Sequence, residues 1–73
     1  MILVVDDEPA IVRLVRAKLL ADEFQVITAN SGEACLALLE DERPDLIVLD
    51  LMMPGIDGFE TLRRLRQIAP IPV

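Results

Sequence analysis

Leu46-Ile47-Val48-Leu49-Asp50 decides the fold: four apolar residues in unbroken succession, closed by an acid. A run this short, without polar alternation, reads as a strand buried on both faces of a parallel sheet. A second stretch of the same form, Ile2-Leu3-Val4-Val5, ends in Asp6-Asp7. Both runs deliver carboxylates to strand carboxyl ends, where ligands of open α/β sheets bind. With the two strands adjacent and parallel, Asp6, Asp7 and Asp50 converge. Carboxylates that close repel one another unless a cation joins them. A hard divalent ion with oxygen ligands is the natural occupant, and Mg2+ is the expected one.

Between these strands the apolar period changes to that of helices. Asp7-Glu8-Pro9 reads as a helix start, with an acidic cap and a proline tolerated in the first turn. The helix is expected to run to about Ala21 with Ile11, Leu14, Val15 and Leu19 on one face. Phe24 to Thr28 reads as the second strand. Asn30 with Glu33 three residues on resembles a capping box, with Ser31 as the alternative cap. The second helix is expected to bury Ala34, Cys35, Leu38 and Leu39 and to end in Glu40-Asp41-Glu42-Arg43, because Pro44 forbids continuation. Asp45 starts the third strand at the end opposite Asp50 and is expected to be solvated. After a loop punctuated by Pro54, Gly55 and Gly58, Asp57 caps a third helix in which Phe59, Leu62, Leu65 and Ala69 repeat at helical spacing. Pro70-Ile71-Pro72-Val73 resets the chain to extended geometry, and Val73 reads as the opening of a fourth strand. The order β-α-β-α-β-α-(β) calls for a parallel sheet with right-handed crossovers.

Composition excludes several function classes. The 73 residues, read as one domain or part of one over 1–73, carry 13 acids against 7 bases, a net charge of −6. With a pI near 4.3, direct nucleic-acid contact and attraction to anionic membranes are not expected. The first apolar run stops at Val5, too short for a secretory signal, and nothing approaches a membrane span. There is no His and only one Cys. Cys35 therefore reads as a small buried apolar residue, and the expected setting is the reducing cytoplasm.

Asp6-Asp7-Glu8-Pro9 after one strand and Leu49-Asp50-Leu51-Met52-Met53-Pro54-Gly55-Ile56-Asp57-Gly58 after another closely resemble the receiver domain of bacterial two-component response regulators. The resemblance covers the whole chain. It implies a flavodoxin-like (CheY-like) doubly wound parallel sheet with strand order 2-1-3-4-5, here cut off after the third helix and the start of strand four. It further implies that Asp50 is the phosphoacceptor, taking a phosphoryl group from a histidine kinase or phosphotransfer protein. Asp7 would ligate Mg2+ directly, Asp6 chiefly through water, and Met52 by its backbone carbonyl, while Pro54 and Gly58 shape the loop. A carboxylate is a legitimate phosphoryl nucleophile, and stabilisation by a cation suits a transition state whose charge is spread over phosphoryl oxygens.

A complete member of that family carries a Ser or Thr ending strand four, a switch-reporting residue on strand five and a Lys ending strand five. None of these falls within the 73 residues, and the single Lys18 lies on the first helix with no such role. The resemblance therefore implies an amino-terminal part of a receiver domain, expected to self-associate or to be partly disordered when alone. The parent protein is expected to join it to an output domain, DNA-binding in many relatives. The only chemistry expected is phosphorylation and dephosphorylation of its own Asp50. A non-phosphorylatable interaction module is the alternative. A dehalogenase-type phosphatase requires an acid where Met52 stands, and a flavin binder would have Asp6-Asp7-Glu8 repelling its phosphate.

Overall fold

Every backbone rung between the three strands is parallel, in the order β2-β1-β3. The structure is a computed structural model that describes all residues except Pro54, Ile56 and Ala69. Its elements are β1 (Ile2–Val5), α1 (Pro9–Ala21), β2 (Val26–Ala29), α2 (Gly32–Leu38), β3 (Leu46–Leu49) and α3 (Gly58–Ile68). The parallel pairing and the 2-1-3 part of the expected strand order are borne out. The position of Pro54 in the loop and of Ala69 on the third helix lie outside the described residues.

β1 is central and all four of its residues are buried, as its unbroken apolar run requires. Its side chains alternate between two faces. Leu3 and Val5 join Ile47 of β3, Cys35 and Leu39 of the α2 region and Leu65 of α3 in one core. Leu3, Leu39, Ile47 and Leu65 are among the largest fully buried side chains, each worth about 1.5–3 kcal/mol of burial. α1 covers the opposite face, against β1 and β2.

That placement corrects the expectation for β3. Ile47 is buried, but Val48 is 40% exposed and Leu46 faces solvent similarly. Ile47 joins the core shared with Cys35, Leu39 and Leu65, whereas α1 packs on β1 and β2, and Leu46 and Val48 are left uncovered. The outer edge is partly met by the chain's end, since Ile47 N–H donates to Pro72 O at 2.9 Å and Ile71 is buried. Residues 70–73 form no regular strand, so the expected fourth strand does not open at Val73.

α1 differs from its expected face. Leu14 is 68% exposed and Ile11 is exposed too, while Val12, Val15 and Leu19 are the half-buried positions. The apolar stripe is wider than the sheet surface it meets, and the rotation of the helix selects Val12 over Leu14. Its start is also different in detail. Glu8 is the cap residue but makes no side-chain cap bond. Instead Asp6 Oδ1 accepts the Glu8 N–H at 3.0 Å.

The helix stops without a glycine. Glu23 has φ of 70°, Phe24 N–H donates to Leu19 O and Glu23 N–H to Leu20 O. Those two bonds form a Schellman motif with Glu23 in the left-handed position usually given to Gly. The turn occupies Asp22 and Glu23 and is followed by Phe24 and Gln25 outside the ladder, so β2 begins at Val26 rather than Phe24 and extends to Ala29.

α2 is capped by Ser31, whose Oγ accepts the Ala34 N–H at 3.0 Å. It closes earlier than expected, with Leu39 as C-cap and the Arg43 guanidinium bonding the Leu39 and Glu42 carbonyls. Cys35 is buried, as expected. Asp45 lies at the far end of the sheet and pairs at 2.6 Å with the Met1 ammonium.

Candidate functional site

The register decides which acids meet. Val5 pairs with Leu49 across β1 and β3 and with Ala29 across β1 and β2. Asp6, Asp50 and Asn30 therefore leave the sheet at one level. The final rungs are Asp6 N–H to Ala29 O at 3.2 Å and Asp50 N–H to Val5 O at 3.0 Å. Parallel strands in register project their next residues to the same rim, which is where the two apolar runs place their acids.

Asp6, Asp7 and Asp50 are each half-buried and offer carboxylate oxygens within 4.8 Å of one another. Two of the three are oriented by backbone amides. Asp6 Oδ1 accepts from Glu8 N–H, and Asp50 Oδ1 accepts from Met52 N–H at 3.0 Å. Among the described residues no ion pair reaches any of the three. The donor set is all hard oxygen. Adjacent ligands of an octahedral Mg2+ with bonds of 2.0–2.1 Å lie about 3 Å apart and opposite ones about 4 Å. Three carboxylates within 4.8 Å, all with hard oxygen donors, fit such an ion.

Met52, two residues after Asp50, is 83% exposed. Behind it, α3 begins in direct contact with the strand end. Gly58 N–H donates to Leu51 O at 3.3 Å. A β-carbon on Gly58 would collide with the Asp50 carbonyl and the Leu51 Cα. Asp57 caps the helix as expected, its Oδ1 accepting the Glu60 N–H at 2.8 Å. On the other side of Asp6 a groove of about 440 Å³ is lined by Asp6 together with Arg13, Thr28 and Asn30.

Comparison with known proteins decides the family: residues 2–73 match the response regulator receiver domain. The chain belongs to that family.

The receiver chain is 53% identical over 66 residues to the alkaline phosphatase synthesis transcriptional regulatory protein PhoP of Bacillus subtilis, covering 90% of this chain and 28% of that protein. The response regulator TrrA of Thermotoga maritima, solved in complex with Mg(2+)-BeF, superimposes with a TM-score of 0.86 at 41% identity, covering 90% of this chain and 57% of that one. TrrA in complex with the histidine kinase ThkA gives a TM-score of 0.89 at 38% identity, over 97% of this chain and 61% of that one. The receiver chain thus spans about a third or less of its curated relatives and somewhat over half of the solved chains. The CheY-like fold is shared throughout. Among the described residues no helix is long and apolar enough to cross a membrane.

Two features of the receiver's rim were not read from the sequence. The polar groove at Arg13 and Asn30 depends on how α1 packs against β2, for which no local pattern exists. Thr61 is the second: it is fully buried, and its hydroxyl donates to Asp57 O at 2.8 Å. A β-branched hydroxyl four residues after a helix cap, inside an apolar stripe, is the signal that marks it.

Proposed function

We propose that this receiver chain is the phosphoacceptor part of a two-component regulator, with Asp50 as nucleophile and Mg2+ held by Asp6, Asp7, Asp50 and the Met52 carbonyl. The observation that carries this is the convergence of three carboxylates within 4.8 Å at the ends of two parallel strands in register. The phosphodonor is a phosphohistidine of a kinase or phosphotransfer protein, a reading supported by the kinase-bound neighbour. An Asp50 oxygen attacks phosphorus, an O–P bond forms, and the N–P bond breaks with its electron pair leaving on the imidazole. Bound Mg2+ would offset the charge of the three acids and of the incoming phosphoryl oxygens.

The chain's own residues supply position. The Met52 N–H holds Asp50 Oδ1, which leaves the other carboxylate oxygen to attack. The Glu8 N–H likewise holds Asp6 Oδ1. The Asp50 carboxylate is half-buried, open enough for a donor to reach. The output domain and the regulated process belong to the parent protein, with transcriptional control the outcome by analogy with PhoP.

The test is a Mg2+ titration of the isotopically labelled chain by two-dimensional amide NMR, followed by a small-molecule phosphodonor, with Asp50→Asn as control. Saturable shifts at Asp6, Asp7, Asp50 and Met52, and a phosphoryl adduct absent from Asp50→Asn, are expected. An adduct that persists in Asp50→Asn would remove Asp50 from the role.

A further inference from the structure

We propose that Thr61 is a positioning residue for Asp50, acting through Asp57 and Gly58. The inference rests on the reading of Asp50 as phosphoacceptor in a metal pocket and names what holds it in register. Thr61 is the single buried polar side chain among the described residues, at 0% exposure. Threonine is a mediocre helix former, and valine would fill the same volume without a buried polar atom. The hydroxyl is therefore the property that distinguishes this residue at this place.

The hydroxyl works on one atom. The Asp57 carbonyl oxygen accepts both Thr61 Oγ1–H at 2.8 Å and Thr61 N–H at 2.9 Å. Asp57 is fixed at its other end as well, because its Oδ1 takes the Glu60 N–H. With Asp57 held twice, the direction in which the chain enters α3 is set. The next residue, Gly58, lies against the Asp50 carbonyl and Leu51 Cα with no room for a methyl group. Any rotation of the first turn of α3 therefore pushes on the backbone that carries the Asp50 carboxylate. Metal coordination tolerates deviations of only about 0.2 Å in ligand distances. A small loss of order at Thr61 is thus transmitted to the spacing of Asp50 from Asp6 and Asp7.

The experiment compares the wild-type chain with Thr61→Val and Thr61→Ser, reading the Mg2+ dissociation constant from amide shifts and stability from urea unfolding. Thr61→Val keeps the volume and removes the donor, whereas Thr61→Ser keeps the donor and loses a methyl. The positioning role requires Thr61→Val to bind Mg2+ roughly tenfold more weakly, the lower end of what outer-shell changes cost. Thr61→Ser should bind nearly as the wild type does, although it is the less well packed. Should Thr61→Val not fold, Thr61→Ala, which also lacks the hydroxyl, takes its place against Thr61→Ser. Wild-type affinity in the hydroxyl-free variant, or weakening that follows lost stability in all variants alike, overturns the proposal. A wild-type chain that binds no Mg2+ overturns the metal-pocket reading and the proposal together. Binding by the wild type with no effect in Thr61→Val overturns the proposal alone.

Discussion

Gly58 sits so close to the Asp50 carbonyl that no β-carbon fits between α3 and the end of β3. Alanine is a better helix former than glycine by about 1 kcal/mol, so propensity alone would make Gly58→Ala stabilising. The clash involves backbone rather than a flexible side chain, and overpacking of that kind costs about 1–3 kcal/mol or more. Gly58→Ala is expected to unfold at lower urea concentration and to bind Mg2+ more weakly. Unchanged midpoint and affinity would show that α3 can draw back without disturbing Asp50.

Glu23 makes the opposite case. It occupies the left-handed position of a Schellman motif at φ of 70°, which costs an L-residue about 1 kcal/mol and glycine almost nothing. Part of that gain is offset by the greater freedom of glycine in the unfolded chain. Glu23→Gly is expected to stabilise the chain by roughly 0.5–1 kcal/mol, and Glu23→Ala should not. Urea midpoints of the two variants decide between them.

Acid sensitivity should involve Glu60. Hydrogen bonds from Arg63, then Arg64, hold its carboxyl down at about 2, against an ordinary value of 4.5. A depressed value means that the stabilisation is complete above pH 4.5 and is lost as pH falls from there through about 2. The group is partly exposed and the effect screened by salt. At low ionic strength Glu60→Gln is expected to flatten the loss of stability between pH 4.5 and 2. An acid-unfolding profile parallel to the wild type would count against the pairing.

Cys35 is buried, and desolvation pushes its thiol up to about 11 from 9.0. Raised above the unfolded value, the thiol favours the folded state fully below pH 9, and that contribution is lost as pH rises from 9 to about 11. At pH 7 its alkylation is expected to be slow in the folded chain and to accelerate in urea in step with unfolding. Rapid labelling of the folded chain would place Cys35 nearer the surface than the core.

Much of this receiver was legible in its local patterns. The unbroken apolar runs of β1 and β3, the proline at the start of α1, the Asp57 cap and the acids that follow Val5 and Leu49 are properties of neighbours along the chain. Backbone geometry and side-chain alternation act on them directly. The converging acids Asp6, Asp7 and Asp50 could be named for the same reason, since the end of a strand is visible where its apolar run stops.

What lies across space was not legible. Whether Leu14 or Val12 meets the sheet depends on the rotation of α1 about its axis, and both belong to one apolar stripe. The exposure of Leu46 and Val48 depends on which strands α1 covers. At the turn the left-handed φ of Glu23 is tolerated because the rest of the fold offsets its cost, so no glycine announces it. The sequence by itself determined the order of elements, the parallel sheet and the identity of the acids. Only the tertiary structure decided the 4.8 Å gathering of those acids, the contact of Gly58 with Asp50 and the buried hydroxyl of Thr61. Packing distances arise from the sum of contacts between distant segments, and no single stretch of the chain encodes that sum.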